Sequence, residues 1–190
     1  MGVLMSGTQL EIVRDPDAAL RPRYSTGGEK PREPRLIVEI DVGGRGIIET
    51  QRICREYFDL VPMLRAVLLV YLSYRKGDEF ACLMVLYRRG VDGGAVVEDV
   101  VSFGNASVTP GMAKRVERSC FYRKLPLVTS QDTDYDSQSP WRSADRPFLE
   151  ITAADLFYKA LTDPDHPCEV KESLHIDLWS IYKEINEFSK

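Results

Sequence analysis

The sequence predicts an α/β fold with a mixed central sheet, on three observations. Residues 35–42 open on Arg35 and continue as an apolar run broken only by two acids, the pattern of a buried strand. A glycine-rich turn and an amphipathic helix over 47–61 follow, closed by Pro62. Two further runs rich in Val, Leu, Tyr and Phe, 65–74 and 79–89, are joined by Arg75-Lys76-Gly77-Asp78, a hairpin signal. A strand, a helix and a strand hairpin in that order place helices beside a sheet.

The remaining elements fall into place along the chain. Residues 9–13 read as a short strand, and Pro16 and Pro22 bracket an extended piece, because proline disfavours helix in the residue before it. Residues 23–34, with Gly27-Gly28, Pro31 and Pro34, are a loop. In the 35–42 strand, alternation puts Ile37, Glu39 and Asp41 on one face and Leu36, Val38, Ile40 and Val42 on the other. Gly43-Gly44-Arg45-Gly46 lacks the spacing of a phosphate-binding loop and reads as a flexible turn. In the helix, Ile47, Cys54, Phe58 and Val61 form the apolar stripe with Ile48 and Tyr57 beside it; Glu49, Arg52, Glu56 and Asp59 take the wet side, and Gln51 and Arg55 border the stripe. Residues 95–103 make a further strand, 148–151 another, and Thr152 or Asp155 caps a helix reaching Leu161. A final helix over about 177–188 is expected to bury Trp179, Ile181, Tyr182, Ile185 and Phe188. The domain reading is a single unit: a sheet core over 9–125, a polar mobile loop over 126–147, and a C-terminal strand with a helical segment over 148–190.

Composition narrows the function classes. With 190 residues, 44% hydrophobic and 28% charged, the chain has room for one core. A net charge of −4 does not mark a bulk polyanion binder. Cys54, Cys82, Cys120 and Cys168 are far apart and form no metal-ligand pattern, so buried free thiols in a reducing compartment are expected. No signal peptide is evident, and the longest apolar run, Ala66 to Tyr74, is too short to span a membrane. The expected location is intracellular, cytoplasmic or nuclear. His166 and His175 are not spaced as a metal pair, and no serine has an identifiable base. The sequence leaves the oligomeric state open.

Chemistry concentrates at the acids. Two carboxylates on an apolar strand are costly without a cation, a donor or water over them, and a metal ion, an arginine or solvent at the strand end would each serve. Taken in order, Pro16-Asp17, a loop, and Leu36-Ile37-Val38-Glu39-Ile40-Asp41 resemble the PD-(D/E)XK, or restriction-endonuclease-like, nuclease superfamily. The likeness is greatest to its fungal-type members, with Pro16-Asp17-Ala18-Ala19-Leu20-Arg21-Pro22, Ala153-Ala154-Asp155-Leu156-Phe157 and Ile176-Asp177-Leu178 as further matching segments. The resemblance implies a restriction-endonuclease-like sheet flanked by helices and Mg²⁺, or Mn²⁺ in its place, held by Asp17 and Glu39 with Asp41 as a third carboxylate. Asp41 stands where that pattern has lysine, and Arg52 or Arg55 from the following helix would then supply the positive charge. The superfamily usually has a helix before the first strand; only about eight residues precede that strand here, so either the helix is absent or the chain is a trimmed or degenerate copy. Lys114, Arg115, Arg118, Arg123 and Lys124, interleaved with Phe121 and Tyr122, form a basic stretch able to track a phosphate backbone or to make a solvated helix face. Two functions follow: a metal-dependent phosphodiesterase acting on DNA or RNA, weakened by the missing lysine, or a catalytically inactive nuclease-fold module that binds another macromolecule, a protein partner included.

Overall fold

The structure, a computed structural model, describes residues 2–6, 9–13, 15–21, 33–74, 79–106, 108–120, 148–156 and 173–188. At its centre is a five-stranded mixed sheet. Its strands are β3 (Ala18–Leu20), β4 (Leu36–Asp41), β5 (Ala66–Tyr74), β6 (Phe80–Arg89) and β7 (Ala95–Gly104), side by side in that order. Only β4 and β5 are parallel, and α1 (Ile47–Leu60) is the crossover between them; every other neighbouring pair is antiparallel. Two further two-stranded antiparallel sheets are described: β1 (Gly2–Ser6) with β2 (Gln9–Val13), and β8 (Phe148–Thr152) with β9 (Ser173–Asp177). Gly2–Ser6 is therefore a strand, one the sequence does not announce.

The central strands β5 and β6 are mostly apolar because both faces of the sheet are covered. On one face, Ile37, Val67, Leu69, Leu83, Val85 and Tyr87 meet Ile47, Ile53, Cys54, Tyr57 and Phe58 of α1, and Val116 of α2 (Pro110–Cys120). On the other, Leu36, Leu68, Leu72, Cys82, Met84 and Phe103 meet Leu149 and Ile151 of β8 and Leu156 of α3 (Ala153–Leu156). Leu178, Ile181 and Ile185 of α4 (Leu178–Phe188) lie on that face too. The predicted alternation of β4 holds, since Ile37 sits under α1 and Leu36 and Val38 sit on the far face.

Some boundaries and burial differ from expectation. Ile48 is 56% exposed rather than flanking the buried stripe, whereas Ile53, Thr50 and Gln51 are buried. The stripe is rotated because α1 has to face the acids of β4 as well as the core. One β-bulge interrupts the β6–β7 pairing at Leu86/Tyr87, with Leu86 opposite Asp99 and Tyr87 opposite Val97. Thr109 caps α2, its hydroxyl accepting from Met112 N–H at 3.1 Å, with Pro110 as the first helical residue. Thr152 caps α3 in the predicted way, accepting from Asp155 N–H at 3.3 Å.

Arg89 and Arg88, adjacent on β6, act as clasps in different directions. Arg89 donates to Leu64 O, Phe58 O, Val61 O and Gly93 O and lies over the Phe58 ring, tying the end of α1 to the β6–β7 turn. Arg88 pairs with Asp155 at 3.2 Å and Glu98 at 3.5 Å, holding α3 against the sheet.

The 126–147 loop, the Arg75–Asp78 turn, Arg123, Lys124, His166, Cys168 and the expected extension of a helix to Leu161 lie outside the described residues, as do the side chains of Trp179, Tyr182 and Phe188. Cys54 and Cys82 are free and buried. Among the described residues no helix is long and apolar enough to cross a membrane.

Candidate functional site

The acids of β4 lie at the C-terminal end of the parallel pair, where the chain leaves the sheet and turns into α1. The turn between them runs through Gly46, whose φ of 82° is a conformation that glycine adopts without penalty. This geometry folds the turn back over the strand end. Arg45, on the turn, therefore reaches Glu39, six residues earlier: its Nη1 donates to Glu39 Oε1 at 2.8 Å. Tyr57 of α1 donates its hydroxyl to Glu39 Oε2 at 3.0 Å. Glu39 is 3% exposed, so a buried carboxylate has a cation on one oxygen and a neutral donor on the other.

Asp41, also 3% exposed, faces inward into the turn. Its Oδ1 accepts from Gly44 N–H at 2.9 Å, both oxygens lie within 3.4 Å of Arg45 N, and Thr50 Oγ1 donates to Oδ2 at 2.5 Å. Asp17 comes from the other side. Extending the β3–β4 register, in which Ala18 faces Val38, by one residue sets Asp17 opposite Glu39. The Asp17 carboxylate is exposed and accepts from Ile40 N–H at 2.6 Å.

The three expected acids thus gather around one arginine. Burial works against the Arg45 charge, but Glu39, Asp41 and Asp17 together more than offset it and raise its pKa above the ordinary range. The site reaches further. Tyr71 of β5 pairs with Asp41 in register, and burial and then the Asp41 charge push its phenol up while Arg115 of α2 pulls it down. Beneath the site, burial and the Glu39 charge push the Cys54 thiol far above its usual value.

Arg52 is not part of this arrangement. It lies on the exposed side of α1, paired with Glu49 and Glu56, because its position on the helix points away from the sheet. Arg55 is half-buried and near enough to Cys54 to favour its thiolate. Lys114, Arg115 and Arg118 are exposed on α2, three and four residues apart or adjacent, and so share one side of the helix. His175 Nε2 lies 2.8 Å from Ser173 Oγ and 4.0 Å from Glu150 Oε1. Both contacts fall on the same ring nitrogen, so no serine–histidine–acid relay is formed.

Set against known protein families, curated proteins and solved structures, the chain matches none.

Arg45, Thr50 and Tyr57 are the residues that sequence reasoning did not place. The signal for Arg45 was present: two buried acids demanded a cation, and an arginine followed four residues after Asp41 in a glycine turn. As they stand, the acids do not fit a metal ion. Both Glu39 oxygens hold protein donors, Asp41 is committed to the turn, and among the described residues no group of three or more His, Cys, Asp or Glu side chains is arranged to hold one.

Proposed function

We propose that the chain is a restriction-endonuclease-like protein that binds nucleic acid without cleaving it. The observation that carries this reading is Glu39, the strand acid of the resemblance, which is buried and has its oxygens taken by Arg45 and Tyr57. The mixed sheet, with its acids at the end of the strand that precedes the crossover helix, supports the family likeness. The shared side of α2 with Lys114, Arg115 and Arg118 supports the phosphate contact, and the Arg115 charge acts on Tyr71 beside Asp41. Binding is the function left to a fold whose carboxylates hold its own structure together.

The test pairs cleavage with binding. Single- and double-stranded DNA and RNA are incubated with Mg²⁺ or Mn²⁺, and affinity is followed by fluorescence anisotropy across a salt series. The expected result is no metal-dependent cleavage and salt-dependent binding. Three phosphate contacts set a slope of roughly −2.7 in log affinity against log salt on duplex DNA. Charge reversal at Lys114, Arg115 and Arg118 should abolish that binding. The phosphodiesterase reading has its own support in the placement of Asp17 opposite Glu39, with the charges of all three acids falling on Arg45. In that reading a divalent ion would activate water and neutralise phosphate charge. Cleavage lost in both Asp17→Asn and Glu39→Gln would establish it and overturn the binding-only reading.

A further inference from the structure

Asp41 occupies the position where the resemblance has lysine, and its hydrogen bonds all run to the turn and to α1. It holds Gly44 N–H, Arg45 N–H and the Thr50 hydroxyl. The turn so held carries the guanidinium that lies on Glu39. We infer that Asp41 is a positioning residue that keeps the site closed by fixing the turn so that Arg45 sits on Glu39 as a tethered cation. This rests on the reading that Glu39 is closed to outside ligands, and it explains why the acids do not fit a metal. The positive charge is present, but it is carried by the turn instead of the strand. It is also permanent, because a guanidinium does not lose its proton in any ordinary pH range. The Arg45 side chain is 45% exposed, so the contact can be removed without opening the core.

Three carboxylates act on the Arg45 charge, and removing that charge exposes Glu39 to a mobile cation. The experiment measures Mn²⁺ uptake, by calorimetry and by the electron paramagnetic resonance signal of free Mn²⁺, on the full chain and four variants. Arg45→Gln should bind Mn²⁺ at least tenfold more tightly than the unmodified protein, and Arg45→Lys, which keeps the charge, should not. Asp41→Ala should also gain Mn²⁺ affinity although it has lost a carboxylate. A merely structural or ligand role for Asp41 predicts the opposite sign. Asp41→Asn, which retains an acceptor for the turn N–H groups, should restore closure. If Asp41→Ala does not fold, the Arg45 pair decides. No gain in Arg45→Gln, with an unmodified protein that takes up no Mn²⁺, overturns the inference and leaves the closed-site reading standing. Tight Mn²⁺ uptake by the unmodified protein, with Arg45 in place, overturns the closed-site reading itself.

Discussion

Replacing Arg89 by methionine tests how much of the fold rests on one cation. Its guanidinium donates to Phe58 O and Val61 O at 2.7 Å, to Leu64 O at 2.8 Å and to Gly93 O, and stands 5.3 Å from the Phe58 ring centre. Burial and the neighbouring Arg65 lower its pKa, so part of the cost of desolvating the charge is already present in the folded state. A charge-assisted hydrogen bond contributes on the order of 1.5–3 kcal/mol, and bonds from one group do not add fully. Four acceptors and a ring contact give about 4 kcal/mol, and relief of guanidinium desolvation returns about 1 kcal/mol, leaving a net loss of about 3 kcal/mol. For a chain of this size that corresponds to a fall of roughly 6–12 °C in Tm. Urea unfolding followed by circular dichroism measures it directly, with Arg52→Met as a control that should leave the midpoint unchanged because its ion pairs stand in open solvent. An Arg89→Met variant within about 1 kcal/mol of the unmodified protein would refute the claim that this residue couples α1 to the β6–β7 turn.

Three other outcomes follow from the geometry. Gly104→Ala should destabilise by about 3 kcal/mol or more, since φ is 136° and an added Cβ would meet Phe80 O at 2.4 Å; chemical denaturation reads it. Cys54 and Cys82, whose thiols burial pushes up, should resist alkylation at pH 8 in the folded protein and react on unfolding, as peptide mass mapping will show. Arg88→Met should speed amide exchange in residues 149–156 while leaving α1 unchanged, because its ion pair to Asp155 joins α3 to the sheet.

Much of the sheet was legible because its signals are local. The apolar runs of β5 and β6 are long, their faces alternate or are wholly buried, and Pro62 stops α1 where its pattern ends. Glu39 and Asp41 could be placed on the same face as Ile37 by parity alone. The need for a cation was legible, but which arginine meets it was not, because that depends on how Gly46 turns the chain back, and a turn's path is set by dihedral angles that no periodicity records. For the same reason Arg52 and Arg55 attracted attention: a helix following an acidic strand invites its own basic residues to serve, yet the turn reached Glu39 first. The strand at Gly2–Ser6 escaped notice because a short run with glycine and serine in it carries little strand propensity, and its pairing with β2 supplies what the composition lacks.

The hydrogen bond from Ile40 N–H to Asp17 has a meaning beyond the site. Among the described residues the strand pairing of β3 with β4 ends at Val38, and beyond it the Asp17 side chain meets the β4 backbone, with Ile40 and Val42 exposed at 43% and 57%. An apolar strand with a bare edge invites a second chain to add to it. A carboxylate seated on the Ile40 N–H takes the donor such a strand would pair with and sets a negative charge in its path.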